Sequence, residues 1–506
     1  MKMIKRVVGF LLCAAVAVSA CACSSGKKTA KAEDPNTVPE DTYEIRWYML
    51  GKPQDDVASV EKAINDYLKG KINATVKMTA METGQYNQKM STVVASGEYF
   101  DIAFCATWSL DYLANAALGA FVQLDDYMDT YLKDVKDTVP ADYLDSARVD
   151  GKLYAIPAYK ESAAQYGWIY RKDIADKYGI DMTKYKNLQD FLPVAEMLKA
   201  KEPSIQYPID WDASSSYQRY MYNYGDFVRP VQDYNIGISY AEGADDTKIV
   251  RNQDAKLEYS GEDVYKIMRE YYTKGLVKKD VATATDLSAR FNSGKTFCYV
   301  AELKPGKVTE MAKSCPYEIA QAGATPVIEK SLPGLGSMMA ISSTSKNPER
   351  CARFLNLLNT DPYLKNLVVH GIEGKHYEKV DDKTIRIFED TTYSMYGYTW
   401  AIGNVFLDYI STKDDPNKLE DLKKFNENAI KREANSFSFN PEGLELTMAE
   451  ISKVNKKYGS IGADGSVEVD YKATLDSLNK ELDSAGLQKL IDAMQEQYTE
   501  FLKNRK

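Results

Sequence analysis

The residues that usually carry catalysis or bind metals are scarce or unpatterned in this 506-residue chain. Only two histidines occur, His370 and His376, which argues against a His-rich metal site and a His-based catalytic triad. The sequence contains no glycine-rich phosphate loop, zinc-protease motif or serine elbow. Its 73 Asp and Glu residues leave a glycosidase pair open, because such a pair is recognised by geometry. We expect no enzymatic activity, no cofactor and no metal.

Tyrosine is the chemically informative residue type, with 37 Tyr against 15 Phe. A tyrosine offers a flat apolar face and a polar tip, so this excess suits a wet, aromatic binding surface. The net charge of -9 and the pI near 5.2 argue against binding to nucleic acid. The composition therefore favours recognition of a small molecule.

The N-terminus has the pattern of an export signal. An apolar stretch, Val7–Ala20, follows a positively charged start and is too short to span a bilayer as a stable helix. Small residues then precede Cys21, which resembles the lipobox of bacterial lipoproteins. We predict a signal peptide over 1–20, acyl chains on Cys21 (or on Cys23) that anchor the protein to the cell membrane, and a flexible tether over 21–41. A plain secretory peptide with incidental cysteines is the alternative.

Four cysteines lie beyond this segment, and none is close enough to another to form a CxxC motif. Each occupies an apolar stretch, which predicts small buried side chains rather than a disulfide framework. They are Cys105, Cys298, Cys315 and Cys351.

Strand and helix patterns alternate along the body of the chain. The first five elements are expected at Glu44–Met49, Asp56–Lys69, Ala74–Met81, a helix that stops at Gly97, and Phe100–Ala106. This order is typical of a parallel α/β sheet. Later strands are expected at Lys295–Ala301 and Gly336–Ser342, and the C-terminus is expected to be helical.

Several segments resemble the bacterial extracellular solute-binding proteins of family 1, the receptor components of ABC importers, carbohydrate type. The similarity extends over nearly the whole mature chain, and the order of the segments carries it. The segments are Tyr99–Phe104 (YFDIAF) before Trp108, Val149–Tyr159 (VDGKLYAIPAY), Tyr166–Asp173 (YGWIYRKD) and Phe291–Ala301 (FNSGKTFCYVA). His370–Tyr377 (HGIEGKHY) and Ser436–Lys506 resemble a subgroup that has a C-terminal domain of unknown function.

The resemblance implies a two-lobed periplasmic-binding-protein-like α/β fold of type II, with a hinge of crossing strands and a helical C-terminal extension. Lobe 1 would comprise 42–157 with 303–343, and lobe 2 would comprise 158–302 with 344–435. Residues 436–506 would form the extension. The crossings would lie near Ala155–Tyr159, Val300–Lys304 and Ser342–Lys346, and closure around a solute would create a shape that the permease can recognise.

By this resemblance, the protein would be a lipid-anchored, monomeric receptor on the extracytoplasmic face of the membrane. It would capture a carbohydrate, most simply an oligosaccharide, and deliver it to an ABC permease. Sugar rings have an apolar CH face and a hydroxyl edge, so aromatic side chains at strand ends and polar side chains at the hinge are the candidates. We predict binding by Trp108, Trp400, Trp211, Lys160, Glu161, Glu302, Trp47, Tyr48 and Asn404, with one of Trp47 and Tyr48 pointing into the core.

Three other functions stay open on the sequence alone. A receptor for peptides or another organic solute would need charged clamps for the ligand termini. A surface glycosidase would need two carboxyl groups at a suitable separation, one with a raised pKa. An adhesion or scaffold lipoprotein would have no affinity for small molecules.

Overall fold

The computed structural model describes residues 33–212, 217–231, 234–284, 287–312, 315–459, 461–462 and 464–504. The predicted signal peptide and lipidated cysteine lie outside these residues. Within them, no helix is long and apolar enough to cross a bilayer.

The strands are mostly short and distribute over separate sheets. They are β1 (Tyr43–Leu50), β2 (Ala74–Met81), β3 (Ile102–Cys105), β4 (Arg148–Val149), β5 (Lys152–Leu153), β6 (Ala155–Pro157), β7 (Ala163–Arg171), β8 (Tyr207–Asp210), β9 (Phe227–Val228), β10 (Ile236–Ser239), β11 (Ile249–Arg251), β12 (Thr296–Leu303), β13 (Ile319–Gly323), β14 (Ile328–Glu329), β15 (Met338–Ile341), β16 (Tyr377–Lys379), β17 (Thr384–Ile387) and β18 (Ile410–Ser411).

The α-helices cover the sheets and form the C-terminal part of the chain. They are α1 (Val57–Lys69), α2 (Thr83–Ser96), α3 (Tyr112–Ala117), α4 (Lys133–Thr138), α5 (Ala141–Ser146), α6 (Lys172–Tyr178), α7 (Leu188–Lys201), α8 (Tyr217–Tyr220), α9 (Gly261–Thr273), α10 (Leu287–Asn292), α11 (Lys307–Ala312), α12 (Pro348–Thr360), α13 (Pro362–His370), α14 (Lys418–Glu427), α15 (Glu445–Tyr458), α16 (Tyr471–Ser484) and α17 (Leu487–Asn504).

The first sheet has the order β2-β1-β3-β15-β6. The predicted strand–helix–strand–helix–strand order is confirmed, and β1 pairs in parallel with both β2 and β3. Helix α1 buries Val60, Ile64 and Leu68, which recur at every fourth position and so share one face. Gly97 ends α2 as predicted, because its φ of 67° is a conformation that glycine adopts without strain. The body around this sheet is called the first lobe.

The second sheet has the order β13-β7-β12-β8, with β14 added on β7. Strand β12 is antiparallel to β7 and parallel to β8. Its core is aromatic, with Trp168 lying 5.0 Å from Phe191 and Phe191 stacked 6.1 Å from Phe297. Helices α7 and α9 contribute the apolar side chains that complete this core. The body around this sheet is called the second lobe.

The third sheet is small, with the antiparallel order β11-β10-β9. Ile236 and Ile238 of this sheet share one apolar cluster with Leu490, Met494 and Tyr498 of α17. The predicted helical C-terminus is therefore confirmed, and its helices form the core of this part together with strands from the middle of the chain.

The packing differs from the predicted lobe boundaries at two places. Strand β12 pairs with β7 along 298–303, and β13 and β14 also pair with β7, so 303–329 lie in the second lobe rather than the first. Helices α12 and α13 pack in the core of the first lobe rather than the second. After α13 the chain returns to the second lobe, where Ile430 forms a parallel β-bridge with Ile328.

The segment 33–42 is docked on the first lobe, although the sequence predicted a flexible tether as far as residue 41. Arg350, which is fully buried, donates hydrogen bonds from Nε and Nη2 to the Glu33 carboxylate, the shortest being 2.6 Å. The Tyr131 hydroxyl donates to the carbonyl of Glu33, and Arg353 donates to the carbonyl of Thr37 at 2.8 Å. We call 33–42 the N-terminal strap.

Candidate functional site

Two tryptophans form an accessible aromatic surface at the carboxyl end of the first sheet. Trp108 follows β3 after two residues and is 47% exposed. Trp400 lies in the helical turn Tyr396–Ala401, half-buried, with its ring centre 6.0 Å from that of Trp108. The ring of Phe104 lies beneath both, 5.7 Å from Trp108 and 6.1 Å from Trp400. We call Trp108 and Trp400 the indole pair.

The indole pair is hydrogen-bonded to Gly336 and Ser337, which lie on a segment that connects the second lobe to the first. Trp108 Nε1 donates to the carbonyl of Gly336 at 2.9 Å, and Ser337 Oγ donates to the carbonyl of Trp400 at 2.8 Å. The amide of Ala158, on the first crossing, donates to the carbonyl of Ser337 at 2.9 Å. Ligands of α/β sheets bind beyond the carboxyl ends of parallel strands, which is where these rings lie.

Five charged side chains meet beside these crossings and form what we call the hinge charge cluster. Glu161 lies 2.8 Å from Lys160, 3.7 Å from Lys304 and 3.8 Å from Lys330. Lys330 also pairs with Glu302 at 2.7 Å. Burial alone would raise the pKa of Glu161, but the three ammonium groups outweigh it and hold this pKa far below its usual range. Burial lowers the pKa of Lys160, which Glu161 only partly offsets.

A second aromatic surface lies on the second lobe and consists of Tyr166, Tyr220 and Tyr224, the tyrosine trio. Tyr166 stacks on Tyr220 at 4.8 Å and meets Tyr224 edge-on at 4.6 Å. Glu302 lies directly opposite Tyr166 in the pairing of β12 with β7, so both point to the same face. Burial raises the pKa of Tyr224, and the charge of Glu302 adds to this.

Sequence reasoning missed the tyrosine trio and the two lysines Lys304 and Lys330. The available signal for the trio was a run of tyrosines at every second position, 220, 222 and 224, after β8. No local pattern marked the lysines, because their partner Glu161 is more than 140 residues away in the chain.

Trp211 and Asn404 are buried, contrary to the prediction that they bind the solute, and Trp47 is buried as the prediction for its pair with Tyr48 allowed. Trp47 is 1% exposed in the core of the first lobe, so it is the inward-pointing member of its pair with Tyr48, which is half-buried. Trp211 is also buried, and its Nε1 donates to the carbonyl of Asp464 in the C-terminal part. Asn404 is buried and accepts a hydrogen bond from the amide of Phe406.

The other predicted residues are brought together in two places. Trp108 and Trp400 form the indole pair, while Lys160, Glu161 and Glu302 belong to the hinge charge cluster. A general acid needs a raised pKa, whereas that of Glu161 is lowered, so this carboxyl group does not suit the role of general acid in glycoside hydrolysis.

The part of the chain that the structure describes contains neither a group of metal ligands nor a disulfide bond. No three His, Cys, Asp or Glu side chains there are arranged to hold a metal ion. The four cysteines predicted to be unpaired are free, and burial raises the pKa of the Cys105, Cys298 and Cys351 thiols.

Sequence comparison finds relatives that cover most of the chain. The pattern of the family described as bacterial extracellular solute-binding protein matches residues 51–365, and that of a domain of unknown function matches 433–503. A carbohydrate ABC transporter substrate-binding protein of Streptococcus pneumoniae is 27% identical over 97% of this chain and 96% of its own. The lipoprotein LipO of Bacillus subtilis is 26% identical over 73% of this chain and 72% of its own.

Structural comparison agrees with the sequence relatives. The crystal structure of the N-glycan transport solute binding protein NgtS from Streptococcus pneumoniae has a TM-score of 0.79 and 27% identity, covering 92% of this chain and all of that one. The same protein in complex with Man5GlcNAc has a TM-score of 0.71 over 92% of this chain and 99% of that one. The two-lobed type II fold of these proteins is the fold of this chain.

Proposed function

Because the chain belongs to the family of bacterial extracellular solute-binding proteins, we propose that it captures an oligosaccharide between its lobes and delivers it to an ABC permease. The protein would act as a receptor, without catalysing a reaction of its own. Its relatives are carbohydrate and N-glycan binding proteins of the same class, so oligosaccharides of mannose and N-acetylglucosamine are the first ligands to examine.

The single observation that carries the proposal is the indole pair. Trp108 exposes almost half of its surface although it is a large aromatic side chain, and a second indole lies 6.0 Å away. The apolar CH face of a sugar ring packs on such a plate and removes it from water, while the hydroxyl edge of the sugar stays available for polar groups. An exposed aromatic surface of this kind is typical of a binding site rather than of a solvated surface.

The second lobe supplies the opposing groups in this proposal. The tyrosine trio would cover the other face of the sugar, and the hinge charge cluster would remain beneath it. Closure of the lobes on the ligand would convert binding into the shape that the permease recognises.

We further propose that the protein is held at the outer face of the membrane as a monomer. The lipid would be attached to Cys21, with Cys23 as the alternative site. The relative LipO is a lipoprotein, and small residues precede Cys21 in this chain, as in a lipobox.

The test is a binding screen on the protein that begins at residue 27, with thermal unfolding and calorimetry as readouts. The panel holds mannose- and N-acetylglucosamine-containing oligosaccharides, other α- and β-linked oligosaccharides, and di- to tetrapeptides. A ligand at 100 times its Kd stabilises the folded state by about 2.7 kcal/mol. Trp108→Ala and Trp400→Ala should each weaken oligosaccharide binding by about 10-fold or more, since aromatic contacts contribute about 0.5–1.5 kcal/mol beyond the area buried.

The matched control is Leu118→Ala, which removes an apolar side chain that is 84% exposed on the same lobe. It should leave the affinity unchanged. Binding of peptides alone would overturn the carbohydrate assignment in favour of a peptide receptor. Shortened oligosaccharide in the chromatogram after incubation would overturn the receptor assignment in favour of a glycosidase.

A further inference from the structure

A cavity lies in the first lobe and shares no residue with the indole pair, the tyrosine trio or the hinge charge cluster. Its volume is about 230 Å³, and α1, α13, β16 and the loop before β16 surround it. Its chemistry comes from three phenols and two charged groups, namely Tyr363, Glu373, Tyr377, Lys379 and Tyr409. We call it the phenol pocket.

Tyr377 is the residue that points to a ligand. The residue as a whole is almost buried, at 5% exposure, it lines the cavity, and none of the hydrogen bonds between the described residues involves its hydroxyl. Because this hydroxyl is not among the fully buried polar atoms that lack a partner, it is accessible from the cavity that Tyr377 lines and can bond to a molecule there. Tyr363, Glu373 and Tyr409 line the same cavity. Burial, with smaller contributions from these three groups, raises the pKa of Tyr377.

The rim of the pocket offers both charges and both kinds of hydrogen bond. Lys379 pairs with Glu373 at 3.7 Å and holds its ammonium 5.1 Å from the ring centre of Tyr409. Both charged side chains are exposed enough to turn toward a bound molecule. Tyr363 presents a ring that is 54% exposed at the mouth. Aromatic faces next to hydroxyl, carboxylate and ammonium groups are what a polyhydroxylated ring requires.

The pocket is built by the motif His370–Tyr377, which the interlobe site does not use. Gly371 has a φ of 79°, and a Cβ there would lie 2.4 Å from Nδ1 of His376, so this position requires glycine. That nitrogen accepts a hydrogen bond from the amide of Ile372 at 2.9 Å, and Nε2 of the same ring lies 2.9 Å from Asp56. The motif is therefore folded around the His376 ring, which fixes the loop that presents Glu373 and Tyr377.

We propose that the phenol pocket binds a single sugar ring, independently of the interlobe site. Its volume is below the roughly 300–1,000 Å³ of pockets that take drug-sized ligands, so one ring fits and an oligosaccharide does not. The unpaired Tyr377 hydroxyl bonds to a sugar hydroxyl, and Glu373 and Lys379 bond to the others at the rim.

The experiment uses saturation-transfer NMR with methyl α-mannoside and with N-acetylglucosamine as the probes. The protein is the Trp108→Ala/Trp400→Ala double variant, in which the interlobe site is disabled. We expect saturation transfer to a probe in this background, and a Kd at least about fivefold weaker when Tyr377→Phe or Lys379→Met is added. Tyr154→Phe removes another phenol hydroxyl of the same lobe outside the pocket and should leave the Kd unchanged.

The outcomes separate this proposal from the interlobe site. Absence of transfer to both probes in the double variant at millimolar concentration overturns the phenol pocket as a sugar site, whatever the wild type does with oligosaccharides. Transfer that neither Tyr377→Phe nor Lys379→Met weakens also overturns it. Because Tyr377→Phe keeps the buried ring, its melting temperature should match that of the double variant, and loss of binding then reports on the hydroxyl.

Discussion

Glu161 is the central residue of the hinge charge cluster, because three ammonium groups lie within 4 Å of its carboxylate. Removing one member of a buried ion network is costly, since the remaining charges stay buried without compensation. The cluster joins the first crossing to β12 and to the segment after β14. We infer that it holds the crossing segments at fixed spacing while the lobes move around them.

Replacing Glu161 with Gln should therefore destabilise the protein strongly. We expect a loss of about 3–5 kcal/mol in the free energy of unfolding, measured by urea denaturation at pH 7. The matched control is Glu318→Gln, at a carboxylate that is 66% exposed, which should change stability by less than about 0.5 kcal/mol. Equal effects of the two variants would contradict the role assigned to Glu161.

The difference in the free energy of unfolding between wild type and Glu161→Gln should decrease as the pH becomes acidic. The folded-state pKa of Glu161 is lowered, so its carboxylate contributes full stability above the ordinary Glu pKa of about 4.3. This contribution is lost as the pH falls below about 4.3 and passes through the lower pKa that Glu161 has in the folded protein. The gap between wild type and Glu161→Gln should stay constant from about pH 6 to 8 and shrink below about pH 4.

Individual residues show where sequence reasoning succeeds and where it does not. The exposed position of Trp108 was predictable, because this residue closely follows the carboxyl end of a strand, while its contact with a solute stays a prediction. Trp211 also follows a strand, β8, yet it is buried because the chain at Asp464 covers it. A contact between residues more than 250 positions apart leaves no local pattern, so the sequence could not distinguish these two tryptophans.

At the scale of elements, the C-terminal helices complete a core that the middle of the chain begins. The short strands β9, β10 and β11 bury apolar side chains against α17, and a three-stranded sheet of this size needs such a cover to be stable. We infer that the extension is a structural part of the protein rather than an appendage.

Leu490→Ala tests this inference. The side chain is fully buried in the third core, so truncation should cost about 2–5 kcal/mol of unfolding free energy. Leu446→Ala makes the same chemical change at a leucine of the extension that is 86% exposed, and should cost less than about 0.5 kcal/mol. A neutral Leu490→Ala would mean that the extension does not share a core with the rest.

The N-terminal strap is stabilised by a fully buried arginine, Arg350. Burial raises the pKa of Glu33, but hydrogen bonds from Arg350 and Asn347 outweigh it and lower this pKa. Glu33→Gln should destabilise the first lobe by about 3–5 kcal/mol in thermal or urea unfolding, because Arg350 loses its main counter-ion. Glu40→Gln, at an exposed carboxylate of the same strap, is the control and should be neutral.

For the whole molecule, two lobes joined by narrow crossings predict a change of shape on binding. Small-angle X-ray scattering should show a smaller radius of gyration when a saturating oligosaccharide is present. Trp400→Ala at the same ligand concentration should remain near the ligand-free value. An unchanged radius at full occupancy would contradict closure as the signal to the permease.

The α/β class was predictable from the order of strands and helices, and the two lobes were implied by the resemblance to the family, but the lobe boundaries were not predictable. Helix α12 has an apolar face that either lobe could bury, and the sequence does not say which. In the structure Phe354 packs edge-on against Trp47 at 5.4 Å, which places α12 in the first lobe. Boundaries of this kind depend on contacts between residues far apart in the chain, and local periodicity does not reveal such contacts.

The N-terminal strap also limits how far the receptor can travel. If Cys21 carries the lipid as proposed, the docked Glu33 lies twelve positions further along the chain, and at about 3.3–3.6 Å per residue this distance is at most about 43 Å. The first lobe would then be confined to a thin layer above the bilayer, while the second lobe alone swings. Confinement of this kind raises the effective concentration of the receptor around a membrane-embedded permease, so a weak contact between them is sufficient for repeated delivery.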